Sequence, residues 1–302
     1  MKDKQSGIRR AVIGLYSDGG KMSVSEQAEN GQWFCLHRSE EEEDFFAQNG
    51  EIDTEKLTES VKRSEELARK LLCEEIVLVG YGLLRYDPNL RQELEEQLNR
   101  PVLAVSGREQ AKAAWQGMAH SGEIGMNSRD FSTQLFYNDP QLSVRESFPL
   151  GWRAVWQGSV LIPNRFQEAQ MRQKAANLLQ ESGFLKTGEP RDTRLVKAGG
   201  MESAAKFLFL TAGESETLRD ELTFSRETLE RVMRWMREPS LRWTGALERV
   251  GGRFPQKVYC QLLILSSVME YLQADSAQLC RIFLEDGYLG VREEIGSICT
   301  LS

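Results

Sequence analysis

Short apolar runs alternate with longer stretches whose apolar residues recur at helical spacing over the first third of the chain. The runs are brief, rich in β-branched or aromatic residues and bounded by glycine or polar residues, which predicts strands. Predicted strands cover residues 9–17, 32–37, 74–82 and 101–106, and predicted helices cover 53–72, 89–99 and a stretch from 106 onward. An alternation of this kind is typical of an α/β domain.

The remainder of the chain repeats this pattern and then becomes mostly helical. Residues 132–138 and 142–150 predict two strands joined by a hairpin turn at Asp-Pro-Gln. Further predicted elements are a helix over 166–182, a strand over 194–200, helices from residue 225 and a last strand over 279–287. The pattern favours a first domain over 1–122 and a helix-rich second domain over 123–302. The charge run at 39–46 is expected to be a solvated loop or the start of a helix.

Length and composition narrow the function classes. A chain of 302 residues is long enough for two domains. Its net charge of −7 argues against a whole-protein field that gathers nucleic acid or anionic membrane, although local basic clefts are compatible with it. The apolar block at 11–16 is too short for a signal-peptide core, and the one at 258–272 is interrupted by polar residues. We therefore expect a cytoplasmic protein without a membrane or nucleic-acid partner.

Residues that commonly hold metals or form catalytic triads are sparse. The five cysteines are widely spaced without a Cys-x-x-Cys pair, so reduced thiols are expected rather than a disulfide framework or a zinc site. His37 and His120 stand on unrelated segments, which favours a structural or surface role for each. Glycine turns follow predicted strands at 16–21, 80–85 and 197–203. Turns of this kind can direct backbone N–H groups at a phosphate.

Several segments, in their order along the chain, resemble the motifs of one family. AVIGLYSDGGKMSV is similar to a strand followed by a phosphate loop, AVSGREQAKAAWQGM to a helix start that carries a base, and NSRDFSTQLFYND to a glycine-rich hairpin. VKAGGMESAAKFL resembles a second phosphate or adenosine loop, and FLEDGYLGVREE resembles the C-terminal motif. The family is that of the exopolyphosphatases and guanosine pentaphosphate phosphohydrolases (Ppx/GppA), and the resemblance runs over nearly the whole chain. It implies an α/β, duplicated ribonuclease-H-like fold, actin-like and hexokinase-like, with two domains and an interdomain cleft.

The resemblance also implies hydrolysis of a phosphoanhydride, which requires carboxylates to hold a divalent metal and to activate a water. The acidic positions of the family motifs fall on Gly14, Gln110, Asn127 and Gln134. Gln110 takes the position of the catalytic base. An amide has the shape of a carboxylate but cannot accept a proton at neutral pH or supply the charge that holds magnesium. The glycines of the hairpin motif are replaced as well, by Arg129, Asp130 and Phe131.

Two substitutes for the lost carboxylates are open. A shift of one residue would make Glu109 the base, but Ser106 and Glu109 also form the Ser-x-x-Glu pattern of a capping box, which is the role we expect. Asp18 or Asp130 could serve as a metal ligand, although aspartate in turns usually bonds to local backbone. If such a substitution operates, the protein is an active hydrolase that uses Mg²⁺. Otherwise we expect no metal and no cofactor.

Some positions suited to phosphate binding persist in the turns and the hairpin. They are Ser17, Asp18, Gly19, Arg85, Ser132, Thr133, Gly199 and Gly200, with Lys21 as a further charge. Alternatively, the cleft is filled by Tyr16, Phe131 and Met201. The leading hypothesis is a catalytically inactive Ppx/GppA-like protein with a binding or regulatory role, whose ligand is polyphosphate or a guanine nucleotide and which forms a homodimer. The alternatives are the active hydrolase and a structural or oligomerisation module built on the C-terminal helices.

Overall fold

The computed structural model describes residues 7–16, 19–31, 33–41, 43, 45, 51–118, 122–138, 143–156, 161–184, 195–212, 221–238, 241–251, 254–280 and 283–292. Its strands are β1 (Arg9–Tyr16), β2 (Gly19–Gln27), β3 (Trp33–Glu41), β4 (Glu75–Gly80), β5 (Leu103–Ala104), β6 (Ile124–Ser128), β7 (Thr133–Asn138), β8 (Ser143–Phe148), β9 (Leu195–Gly199), β10 (Glu221–Ser225) and β11 (Ser276–Cys280). Its helices are α1 (Thr54–Lys70), α2 (Leu83–Tyr86), α3 (Pro88–Leu98), α4 (Gly107–Met118), α5 (Trp152–Val155), α6 (Arg165–Ser182), α7 (Glu202–Ala212), α8 (Arg226–Met236), α9 (Leu241–Gly251), α10 (Gln256–Tyr271) and α11 (Leu284–Arg292).

The chain separates into two compact units, unit 1 with residues 1–117 and 283–302 and unit 2 with residues 118–282. The described strands of unit 1 have the order β3-β2-β1-β4-β5, and those of unit 2 the order β10-β11-β9-β6-β7-β8. Read from its β8 edge, the sheet of unit 2 begins with the order β8-β7-β6-β9-β11, in which the strands correspond in turn to β3, β2, β1, β4 and β5 of unit 1. The strand directions correspond as well. In unit 1, β1 is antiparallel to β2 and parallel to β4, and in unit 2, β6 is antiparallel to β7 and parallel to β9. The repeated topology confirms the predicted duplicated α/β fold.

In unit 1, one face of the sheet shares a core with α1. The helix begins after its N-cap, Asp53, whose side chain accepts a hydrogen bond from the backbone N–H of Lys56. Leu57 and Val61 on its apolar face are buried in the same cluster as Ile13 of β1. Because successive side chains of a strand point to opposite faces, the residues that alternate with this cluster lie on the other face of the sheet. That other face carries the candidate site of unit 1.

In unit 2, the core is built around α10. Every residue from Val258 to Met269 is buried, including Gln261 and the Ser266–Ser267 pair. A helix buried on all sides lies inside a domain rather than on its surface. The predicted helix at 258–272 is therefore confirmed, but it is enclosed by α6, α7, α8 and α9 rather than packed on one side only. Among the described residues, no helix is long and apolar enough to cross a membrane.

The C-terminal segment differs from its sequence prediction. The predicted strand over 279–287 is a strand only as far as Cys280, and the chain forms α11 from Leu284. Helical packing prevails here because Leu284 is fully buried and Gly287 lies against the backbone of Ala113 on α4, where a Cβ would collide with the Ala113 carbonyl. The predicted second domain, 123–302, includes α11, whereas α11 belongs to unit 1.

Other differences concern the strands that the hydrophobic pattern does not reveal. β2, β6 and β10 are not predicted, since β2 and β6 have small or polar residues at most positions and β10 has only five residues. The predicted solvated loop at 39–46 is wrong for residues 39–41, which continue β3. β3 ends the described strand order of unit 1, and a strand at the edge of a sheet accommodates charged residues.

Candidate functional site

Gly14 of β1 has a carboxylate in the space where a side chain would project. A Cβ at this position would collide with Oε1 of Glu285, which lies in the first turn of α11 and is fully buried. The hydroxyl of Tyr16 donates a hydrogen bond of 2.8 Å to the same oxygen. The strand therefore lacks the acidic residue that the family motif has at this position, but a carboxylate reaches the same place from the other end of the chain.

Asp286, the next residue of α11, is held by the same face of the sheet. It accepts a hydrogen bond from the hydroxyl of Ser23 on β2. Arg38 on β3 donates to Oδ2 of Asp286 from Nε at 2.9 Å, and its Nη2 lies 2.7 Å from that oxygen. We call Glu285 and Asp286 the acidic pair. The sequence analysis did not select either residue, although both lie in the stretch that resembles the C-terminal motif of the family.

Tyr16 projects from β1 on the same face of the sheet as position 14. Its ring stacks on that of Tyr81 with 4.7 Å between centroids and 13° between planes. Both rings are buried, and Tyr81 also lies 3.0 Å from the position of a Cβ on Gly14. Tyr16 is thus one of the residues predicted to fill the site.

Gln110 lies on α4 in unit 1 and is 2% exposed. Its side-chain oxygen accepts a hydrogen bond from Nη1 of Arg85 at 3.5 Å, the long limit for such a bond. Burial lowers the pKa of the Arg85 guanidinium, which nevertheless stays protonated at neutral pH. At the predicted position of the base the protein therefore has a buried amide directed at a cation, and this arrangement cannot take a proton from water.

Glu109, the alternative base, closes the first turn of α4. Its carboxylate accepts a hydrogen bond of 2.8 Å from the backbone N–H of Ser106, and the hydroxyl of Ser106 accepts one of 3.2 Å from the backbone N–H of Glu109. This reciprocal pair confirms the predicted capping box. The Ser106 hydrogen bonds lower the pKa of the Glu109 carboxyl. A base that works near neutral pH needs the opposite shift, so the geometry favours the structural role.

In unit 2, the other two amides at family acidic positions bond to each other. Asn127 on β6 and Gln134 on β7 face each other across the antiparallel ladder and are fully buried. Nδ2 of Asn127 donates to Oε1 of Gln134 at 2.6 Å. Nε2 of Gln134 donates in turn to the hydroxyls of Ser132 at 2.8 Å and Ser147 at 3.3 Å. Two carboxylates placed this close would repel unless a cation lay between them, whereas these neutral amides form a hydrogen bond with each other.

The glycine turn after β9 packs closely against β6. Gly200 has a φ of 73°, and a Cβ there would lie 2.6 Å from the carbonyl oxygen of Ser128 and 2.7 Å from Oδ1 of Asn127. Gln261 on α10 donates to the carbonyl of Gly200 at 3.1 Å and accepts from the backbone N–H of Ala204 at 3.3 Å. Glycine is thus required at 200 by close packing, and one backbone N–H in the first turn of α7 is already bonded to Gln261.

The hydroxyls predicted to bind phosphate also have partners within the protein. The Thr133 hydroxyl donates a hydrogen bond to the carbonyl of Leu150 and lies 2.9 Å from the hydroxyl of Ser128. Ser132 accepts the hydrogen bond from Gln134 already described, and both hydroxyl residues are buried. These residues therefore stabilise the β6–β7 hairpin.

Asp130, an alternative metal ligand, is bonded to protein groups. It is 5% exposed and accepts a hydrogen bond of 2.6 Å from the indole N–H of Trp152. Nε of Arg153 lies 3.4 Å from one carboxylate oxygen, and Nζ of Lys257 lies 3.9 Å from the other. The guanidinium of Arg153 lies over the rings of Trp152 and Phe254, 4.5 Å from each centroid. Asp130 therefore anchors a cluster of cations and aromatic rings.

Of the remaining positions predicted to bind phosphate, some lie within the described residues and others do not. Ser17 and Asp18 lie outside the described residues. Gly19 pairs with Tyr16 at the start of β2, and Gly199 ends β9. Lys21 is buried and forms an ion pair of 2.9 Å with Glu40. Within the described part of the chain, there is no group of three or more histidine, cysteine, aspartate or glutamate residues that could hold a metal ion.

Solved structures resemble the chain over nearly its whole length. The Aquifex aeolicus PPX-GPPA enzyme aligns with a TM-score of 0.72 and 14% identity, covering 95% of this chain and 99% of that one. An exopolyphosphatase from Cytophaga hutchinsonii aligns with a TM-score of 0.74 and 14% identity, covering 94% and 97%. An exopolyphosphatase-like protein aligns with a TM-score of 0.75 and 13% identity, covering 97% and 100%.

Comparison of the sequence alone finds no relatives of this chain. No protein-family model matches the chain, and no curated protein matches it. The likeness is carried by the arrangement of the strands and helices, with the low identity expected of a divergent chain. The chain has the fold of the Ppx/GppA proteins, as its ordered motifs predicted.

Proposed function

We propose that this protein is a catalytically inactive relative of the Ppx/GppA phosphohydrolases with a binding or regulatory role. The observation that carries the proposal is the buried hydrogen bond between Asn127 and Gln134, 2.6 Å long. Hydrolysis of a phosphoanhydride in this fold needs carboxylates that hold a divalent cation. Asn127 and Gln134 lack the negative charge that attracts such a cation.

The surroundings of Gln110 support the same proposal. A general base must lie within hydrogen-bond reach of the attacking water and accept its proton. Gln110 is an amide, and its oxygen is directed at Arg85. The neighbouring carboxylate, Glu109, is used in the capping box and has a lowered pKa. The proposed ligand class is polyphosphate or a guanine nucleotide, bound without turnover, and the proposed assembly is a homodimer.

Phosphate release from polyphosphate and from guanosine pentaphosphate, each with Mg²⁺, tests the proposal. We expect no release above that of a protein-free control. The matched variant restores the family residues as Gln110→Glu, Asn127→Asp and Gln134→Glu together, and any gain of hydrolysis in it would show that these amides are what disables the site. Turnover by the wild-type protein at the rates of ordinary enzymes, about 1 s⁻¹ or more, would contradict the proposal.

A second candidate function, an active hydrolase with a relocated carboxylate, is favoured by Glu285. Its carboxylate stands against Gly14, where the family motif has its acidic residue. This candidate predicts wild-type hydrolysis that Glu285→Gln abolishes while the fold is retained. Its difficulty is the environment of Glu285, which is fully buried and accepts a hydrogen bond from Tyr16.

A further inference from the structure

We infer that the acidic pair on α11 is an internal ligand, whose carboxylates occupy an anion-binding set of donors in unit 1 and thereby compete with a phosphate from outside. The inference rests on the proposed function and specifies what lowers the affinity of unit 1 for such a ligand. It starts from the donors, which are Tyr16 on β1, Ser23 on β2 and Arg38 on β3. All of them are engaged by Glu285 or Asp286.

The donors lie on one face of the sheet because of strand register. Ser23 pairs with Val12 on one side and with Arg38 on the other, so these residues share a face of the sheet. Tyr16 lies four positions beyond Val12 along β1 and points to the same face. Hydroxyl and guanidinium groups on one face form a set that suits either carboxylate or phosphate oxygens, since both are anionic acceptors.

The occupants all come from one short stretch of chain. Glu285 and Asp286 are adjacent in the first turn of α11 and are 0% and 5% exposed. Burial of carboxylates is costly unless hydrogen bonds and counter-charges compensate. Here Tyr16 donates a hydrogen bond to Glu285, and Ser23 and Arg38 supply a hydrogen bond and a counter-charge to Asp286. The pair thus engages all three donors.

Gly14 shows that the pair and an acidic strand residue are mutually exclusive. Any side chain at position 14 would collide with Oε1 of Glu285. Replacement of the family's acidic residue by glycine is therefore the change that admits Glu285. The position next to the strand cannot hold both a carboxylate from α11 and an outside ligand.

The start of α11 is fixed on either side of the acidic pair. The ring of Phe283 lies beneath two cations, 5.3 Å from Nζ of Lys21 and 5.5 Å from the guanidinium carbon of Arg38. On the other side, Gly287 contacts the backbone of Ala113. An outside phosphate must therefore displace the first turn of α11, and its affinity is reduced by the free energy of that displacement.

Calorimetric titration of the full chain with sodium tripolyphosphate in magnesium-free buffer tests the inference. The main variant, Glu285→Ala with Asp286→Ala, removes the internal carboxylates and is expected to bind the probe about tenfold more tightly than wild type, or more. The conservative variant, Glu285→Gln with Asp286→Asn, keeps the shape and removes the charge, and is expected to bind about threefold more tightly. It keeps the inference testable if the alanine variant does not fold.

Two controls locate the effect. Glu66→Ala removes an exposed carboxylate on α1, whose side chain is 65% exposed, and should leave the affinity unchanged. Arg38→Ala, added to the alanine variant, removes a donor and should return the affinity to the wild-type value. Equal affinity, or no binding, in wild type and both acidic-pair variants would overturn the inference. That result leaves the proposed function intact, because the latter fails on wild-type hydrolysis.

Discussion

Nδ2 of Asn127 donates a 2.6 Å hydrogen bond to Oε1 of Gln134, at facing positions of β6 and β7. If these residues are returned to Asp and Glu together, two carboxylates face each other in a buried site. We expect the double variant to lose about 3 kcal/mol of unfolding free energy without a divalent cation, and to regain part of it in MgCl₂. Thermal unfolding with and without MgCl₂ measures both effects, and the wild-type melting temperature should not depend on Mg²⁺.

An exposed amide pair gives the matched control. On α6, Nε2 of Gln173 donates to Oδ1 of Asn177 at 2.8 Å on the surface. Gln173→Glu with Asn177→Asp should change stability by only about 0.5 kcal/mol, because water screens the charges. If this surface variant loses as much stability as the buried one, or if Mg²⁺ stabilises both equally, the buried pair has no special relation to a cation.

The contact between Gly14 and Glu285 predicts a non-additive pair of substitutions. Gly14→Ala should cost about 2 kcal/mol, because the added methyl group collides with a buried carboxylate that has little room to move. In the Glu285→Ala background the same change should cost much less, so a double-mutant cycle by urea denaturation should give a coupling of about 1 kcal/mol or more.

Gly245 on α9 provides the comparison for that cycle, since a Cβ there meets nothing within 4 Å. Gly245→Ala should stabilise the protein by about 0.5 to 1 kcal/mol through helix propensity, with or without Glu285. Additivity of Gly14→Ala and Glu285→Ala would mean that the two positions do not compete for space.

The sequence predicts contacts of the site between residues close together in the chain, and it does not predict contacts between residues far apart. The capping box of Ser106 and Glu109 spans four residues, so the pattern alone identifies it. The contact of Gly14 with Glu285 joins opposite ends of the chain, and neither periodicity nor motif spacing reports which distant residues meet. A glycine at an acidic position therefore indicated a lost carboxylate, whereas the structure shows one supplied by α11.

The fold was more accessible to sequence reasoning than the register of its strands. Long amphipathic helices such as α1 have a repeated apolar spacing, which predicts them well. β6 is a short strand with the sequence IGMNS, and without it the pairing of Asn127 with Gln134 could not be foreseen. The duplicated order of the strands came from the resemblance, since short strands have too few positions to establish topology by pattern.

The lowered pKa of Glu109 predicts a stability difference that depends on pH. The Ser106 hydrogen bonds favour the charged carboxylate in the folded protein. This contribution is complete above the pKa of the unfolded chain, near the ordinary glutamate value of 4.5, and is lost as the pH falls through the lower folded pKa. Wild type should therefore be more stable than Glu109→Gln at pH about 7, and the difference should shrink at pH about 3.

Urea denaturation at several pH values measures this difference. Ser106→Ala serves as the companion variant, since it removes the other half of the box and should cost about 1 kcal/mol at neutral pH. A gap between wild type and Glu109→Gln that grows in acid would reverse the sign of the prediction and remove the assigned role of Glu109.

Glu168 predicts the largest loss of stability from a single change of charge. It is 5% exposed on α6, accepts hydrogen bonds of 2.9 Å from Nε of Arg172 and from the Tyr259 hydroxyl, and pairs with Arg237. Burial raises the pKa of Tyr259 to about 12, so the phenol remains a donor to this carboxylate. Glu168→Gln keeps the shape but leaves the cations under-compensated, and we expect a loss of about 3 to 5 kcal/mol in urea denaturation.

An exposed ion pair distinguishes this prediction from a general effect of losing a carboxylate. Glu66 on α1 pairs with Lys70 at 2.8 Å, with both side chains more than half exposed. Glu66→Gln should leave the unfolding midpoint nearly unchanged, because solvent already screens this pair. If the two glutamine variants unfold at the same urea concentration, the network around Glu168 does not stabilise unit 2. A selective loss in Glu168→Gln would show that this carboxylate joins α6, the end of α8 and α10 into one core.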